Sequence, residues 1–72
     1  MARIRVNYSD GGIAKKNTKV SVSVDGGGMA DGFTGNDGWA FIDTSGTRGK
    51  VYVNGKEVHR GDLNNAHVIY PR

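Results

Sequence analysis

Apolar and polar residues alternate with a period of two along most of this chain, and helical periodicity is nearly absent. In RIRVNY, Ile4, Val6 and Tyr8 fall on one face and Arg3, Arg5 and Asn7 on the other, the signature of a half-buried strand. TKVSVSV repeats the pattern, with Val20, Val22 and Val24 inward and Lys19, Ser21 and Ser23 outward. WAFID carries apolar residues on both faces, which predicts a central or doubly covered strand. KVYVNGKEVHR reads as strand, turn and strand. The Asn54-Gly55 pair sits between β-prone runs, and a type I′ hairpin turn wants positive φ at both of its central residues. AHVIY is a last strand, stopped by Pro71. Phe33 and Thr34 form at most a short strand, and IAKKN is too short for a helix that stands alone.

The breaks between these runs are SDGG, the glycine-rich stretch after Asp25, GNDG at 35–38, TSGTRG and GDLNN. The spacing predicts roughly six or seven short strands in one all-β domain over residues 1–72. The expected architecture is a small antiparallel β-sandwich of immunoglobulin or transthyretin-like, Greek-key type. The expected core is Ile4, Val6, Val20, Val22, Val24, Phe33, Phe41, Val51, Val53, Val58, Val68 and Tyr70, with Trp39 beside them. Tyr52 is expected to pair across strands.

Composition makes that core thin. The chain has 72 residues, no cysteine and a hydrophobic fraction of 36%. Packing must therefore hold the fold without disulfides, and self-association would help. An open sandwich leaves edge strands that a second copy can pair. The terminal strands RIRVNY and AHVIY are the expected edges, which predicts a homodimer; Arg3, Arg5 and Pro71 are the residues that would oppose it.

Lys and Arg number 10 against 7 Asp and Glu, a formal charge of +3. The positive residues are scattered, so no basic tail exists. The charge permits nucleic-acid binding without requiring it. The N-terminal MARIRVNYSD lacks the apolar core of a secretory signal, and no run is long enough to span a bilayer. The expectation is a cytoplasmic protein with no membrane partner.

The stretch DGGGMADGFTGNDGWA invites three chemical readings. A phosphate loop needs backbone amides leading into a helix, with a lysine; here Met29, Ala30, Asp31 and another glycine follow. A calcium loop built on Gly38 would place Phe33 at its first ligand and Thr44 at its last, neither a carboxylate. An irregular site would have to use Asp25, Asp31, Asp37 and Asp43. Turns between strands account for the same residues, since Asp and Gly are the commonest turn formers.

These residues also carry a resemblance. VSVSV, a glycine-containing loop, FTGNDGWAFI and GKVYVNGKEV resemble the carboxypeptidase regulatory-like domains and their transthyretin-like relatives over roughly residues 18–58. Thr34, Asp37, Gly38, Trp39 and Phe41 match that group's Thr-x-x-Asp-Gly-aromatic-x-apolar segment. Gly49, Val51, Tyr52, Val53 and Gly55 match the strand after it. The resemblance implies a Greek-key sandwich used as an accessory, folding or adhesion module without catalysis.

Other constellations offer weaker chemistry. His59 and His67 with Asp43 or Asp62 and a serine would form a triad only on paper, for no nucleophile elbow is present. Lys19 and Asn65 lie on early and late segments, as an isopeptide weld would need, but Lys19 alternates outward. No catalytic, cofactor or metal residue is therefore assigned. The first functional reading is a non-enzymatic sandwich module for protein interaction or structural support, without a cofactor. The alternative is a small basic β-barrel that binds nucleic acid through Arg3, Arg5, Lys50, Tyr52 and Lys56. A barrel-type binder would gather those residues on one face, whereas a sandwich module would scatter them.

Overall fold

The computed structural model describes residues 2–70, so the expected stop at Pro71 and its part in guarding an edge lie outside the described residues. Its strands are β1 (Ala2–Asp10), β2 (Ile13–Ala14), β3 (Lys19–Val24), β4 (Met29–Phe33), β5 (Trp39–Thr44), β6 (Arg48–Val53), β7 (Lys56–Asp62) and β8 (His67–Tyr70). They form two sheets. In the first, β1 pairs antiparallel with β5 and with the short β2, and parallel with β8. The second is antiparallel throughout, in the order β4-β3-β6-β7. The chain is an all-β sandwich, as the alternation predicts.

The inward residues make one core: Ala2, Ile4, Val6, Ala40, Ile42 and Val68 from the first sheet, and Val20, Val22, Val51 and Val53 from the second. Leu63 and Ala66 close one end from the β7–β8 connection. Tyr8, Val24, Val58 and Tyr70 are half-buried against this core, and the Tyr8 and Tyr70 rings meet at 5.5 Å. Phe33 and Phe41, expected inside, are each 63% exposed. The error in β5 is one of phase. Ala40, Ile42 and Thr44 point inward, so Trp39, Phe41 and Asp43 point out. Because side chains alternate strictly, choosing Phe41 over Ile42 as the core residue turns the whole strand over. Leu63 and Ala66 were missed because they lie in a turn, where no periodicity marks burial.

Two further expectations change. β5 is an edge strand, paired only to β1 among the described residues, and is not doubly covered. β1 is central, between β5 and β8, and only β8 of the two terminal strands lies at a margin. The parallel β1–β8 pair supplies the physical reason. The last strand returns beside the first and fills the margin that a terminal strand would otherwise leave open.

The Asn54-Gly55 turn forms as expected. Val53 and Lys56 are partners, and the two turn residues have φ of 53° and 83°. Gly26 to Gly28 connect β3 and β4, with Val24 N–H donating to Gly28 O at 3.0 Å.

The segment 34–38 does more than turn. It carries the chain from the second sheet to the first, beside residues 15–18, which cross the other way. Thr34 joins the two crossings and is 2% exposed. Its N–H donates to Thr18 O and its carbonyl accepts from Asn17 N–H. Its hydroxyl donates to Lys15 O at 2.5 Å and accepts from Thr18 N–H at 2.9 Å. Asp37 Oδ1 accepts the Trp39 N–H at 3.1 Å, and Gly38 O accepts the Tyr8 N–H at 2.8 Å. At the opposite end, Leu63 N–H donates to Thr47 O and ties the other pair of crossings.

Candidate functional site

A sandwich buries one face of each sheet and offers the other to solvent, so its two outer faces and its open edges are where binding can occur. The outer face of the second sheet is polar. Lys19, Ser21 and Ser23 of β3 lie beside Lys50 and Tyr52 of β6, with Tyr52 between Ser21 and Glu57. Lys19 Nζ lies 3.8 Å from Asp31, and Arg60 holds Glu57 at 3.0 Å. Met29 and Phe33 are exposed along the β4 edge of this face.

The outer face of the first sheet is built differently. The register sets Arg5 between Phe41 on one flank and His67 on the other. One row along, Asn7 stands between Trp39 and Ile69. The Trp39 and Phe41 rings are nearly parallel, at 14°, with centroids 6.3 Å apart. Trp39 also leans across β1 to His67, at 5.3 Å. Phe41 and Ile69 are exposed, while Trp39 is half-buried by its neighbours. Arg3 lies at the next row, where its Nε donates to Asp43 Oδ1 at 3.0 Å. That hydrogen bond, then the Asp43 charge, raises the guanidinium above its already high ordinary value. The pair is open to water, so it orders the rim of the face more than it stabilises the fold.

The residues picked from sequence are thereby divided. Arg3 and Arg5 lie on the first sheet, Lys50 and Tyr52 on the second, and Lys56 follows the Asn54-Gly55 turn. Only Arg5 stands among the exposed rings. Phe41 was expected in the core, and His67 and Ile69 were not expected to join it on one face; the one available signal is that Trp39 and Phe41 share a parity, so both must face the same way.

The other constellations are also taken apart. The four aspartates go to four places: Asp25 N–H bonds Arg48 O in the β3–β4 connection, Asp31 faces Lys19, Asp37 caps Trp39 and Asp43 holds Arg3. Among the described residues no three His, Cys, Asp or Glu side chains converge on a point. His59 Nε2 lies 2.9 Å from the Asp62 carbonyl, which can only accept, so that nitrogen carries the proton. His59 and His67 both border a cleft of about 180 Å³ between the β7 and β8 edges, with Val58, Val68, Ile69 and Tyr70. Among the described residues no helix is long and apolar enough to cross a membrane.

Comparison with family models, with curated proteins and with solved structures returned no match to this chain.

Proposed function

We propose that this chain is a non-enzymatic β-sandwich module that docks a protein partner through the outer face of its first sheet. The observation that carries the reading is the Trp39–Phe41 ring pair, set beside His67 and Ile69 around Arg5. Protein interfaces are enriched in aromatic residues and arginine and depleted in lysine and glutamate. Among the described residues this face carries neither lysine nor glutamate on β1, β5 or β8, whereas the opposite one sets Lys19, Lys50 and Glu57 among Met29, Phe33 and Tyr52. With Asp43 taken by Arg3, Arg5 is the charge left to recognise an acidic group. The fitting partner therefore presents an apolar patch with a carboxylate beside it.

The finer assignment, an immunoglobulin or transthyretin-like sandwich of the carboxypeptidase regulatory-like group, rests on the Thr34 to Phe41 segment. Its support is that Thr34, Asp37 and Gly38 each have a distinct task in joining the sheets.

A second reading has one observation in its favour. Two outward-facing rings, one exposed and one half-buried, beside an arginine also suit the stacking of single-stranded nucleic acid. Against it, Lys50, Tyr52 and Lys56 lie on the other sheet, so a strand following the rings would find little charge for its phosphates. Cross-linking of wild type, Phe41→Ser and Tyr52→Ser to bound proteins separates the readings. Capture of one partner that is lost in Phe41→Ser and kept in Tyr52→Ser is expected. Equal capture by all three refutes the assignment of the face. Salt-sensitive oligonucleotide binding that needs Phe41 moves the assignment to nucleic acid.

A further inference from the structure

The margins of the two sheets are guarded unequally. β7 carries Lys56, Glu57, Arg60 and Asp62, and a bulge leaves its Val58 unpaired between Glu57 and His59. β4 holds Asp31 and Gly32, and β5 ends near Asp43. β8 has none of these devices. Its sequence is HVIY, with no charged residue, glycine or proline, and its pairing to β1 is without a register shift. An edge of this kind is a template for another strand.

Its backbone fixes which groups are on offer. Ala66 O accepts the Arg5 N–H at 2.9 Å. Backbone groups alternate sides along a strand, so Val68 bonds toward β1 while the N–H and C=O of His67 and Ile69 point away from it. Side chains alternate on the perpendicular axis: Val68 is buried, and His67 and Ile69 lie on the outer face. A two-fold axis perpendicular to the sheet keeps buried sides with buried sides, so residues must pair with others of the same parity. Setting Val68 against Val68 meets that condition within residues 66–70. It also sets His67 against Ile69, the two residues whose backbone groups are on offer.

We infer that β8 pairs antiparallel with β8 of a second copy about a two-fold axis at Val68, His67 and Ile69 exchanging backbone hydrogen bonds across it. The occupant is a second copy because the register is self-complementary. The strand has no charge to repel its own image, and the neighbouring β7 rim balances two cations, Lys56 and Arg60, with two acids, Glu57 and Asp62. So short an edge buries well under the roughly 800 Å² per partner of a standard interface, so the dimer is weak and concentration-dependent. His67 and Ile69 also border the ring-bearing face, but the bonds come from backbone at the β8 margin, and β1 lies between their strand and that of Trp39 and Phe41. The readout is self-association rather than partner capture, so the two readings fail separately.

Sedimentation of the full chain from roughly 1 to 500 μM tests it. The mean mass is expected to climb from 7.7 kDa toward twice that value. Ile69→Lys, which places a charge on the exposed side of the edge, is expected to weaken association at least about tenfold, and Phe41→Ser to leave it unchanged. The chain has no cysteine, so Val68→Cys offers a clean register probe. A non-hydrogen-bonded antiparallel pair is close enough for a disulfide. Oxidation is expected to link Val68→Cys into dimers, and Phe41→Cys, on the ring face, to stay monomeric. A single species at 7.7 kDa throughout overturns the inference. So does a dimer indifferent to Ile69→Lys, or one in which Val68→Cys links no better than Phe41→Cys.

Discussion

Gly38 and Gly55 have nearly the same φ, 80° and 83°, and very different surroundings. Gly55 closes the β6–β7 hairpin, and a Cβ built there meets no atom within 4 Å. Gly38 is buried at the crossing between sheets, where a Cβ would lie 2.6 Å from Tyr8 O and 3.2 Å from the Ala14 Cβ. The hairpin turn is a local solution, satisfied by two residues that accept positive φ. The crossing turn is a tertiary solution, in which the same conformation also brings the chain against β1 and β2. A turn residue read from sequence alone reports the first kind of constraint and is blind to the second.

Substitution separates them. Gly38→Ala combines the cost of a left-handed Cβ with a clash against a backbone carbonyl that cannot rotate away. It is expected to destabilise by about 3 kcal/mol, read from the shift in denaturant midpoint at constant slope. A neutral result would show that the crossing turn is as free as the hairpin. Thr34→Val keeps the side chain's shape and removes its hydroxyl, leaving the Lys15 carbonyl and the Thr18 N–H without that partner. A loss of about 2 kcal/mol is expected, accompanied by faster amide exchange at Thr18; unchanged exchange there would dismiss Thr34 as the clasp. Gly55→Ala keeps the strain and lacks the clash, so about 1 kcal/mol is expected in the same assay. If it equalled Gly38→Ala, close approach would have no part in the difference. Phe41→Ser, at a position 63% exposed, should change stability by less than about 0.5 kcal/mol while abolishing partner capture. A large loss of stability would return Phe41 to the core.

The candidate face teaches a related lesson. Its two rings are evident in WAFID, but their side of the sheet is not. A small core needs large side chains, which is the argument for expecting Trp39 and Phe41 inside. The structure builds its core from Val, Ile, Ala and one Leu, and leaves the two largest rings of β5 outside. Strands β3 and β6 carry no such ambiguity, because Val20, Val22, Val51 and Val53 alternate with Lys, Ser and Tyr, whereas Phe33 of β4 faces water like Phe41. Where both parities are apolar, periodicity carries no phase.

What the sequence determined by itself is the local order: alternating strands, the Asn54-Gly55 hairpin and the turns at Gly11-Gly12, Gly26 and Asp37-Gly38, although Asp31-Gly32 and Gly61-Asp62 lie within β4 and β7. Each of these depends on the residue and its immediate neighbours. Tertiary structure alone decided that β1 is central, that β8 lies parallel beside it, and that Phe41 faces water. It also decided that Leu63 is buried and that the basic residues divide between two sheets. The physical reason is that strand order and phase are settled by which faces meet. A strand exposes unpaired backbone on both margins and a side-chain set on both faces, and only its neighbours in space choose among them.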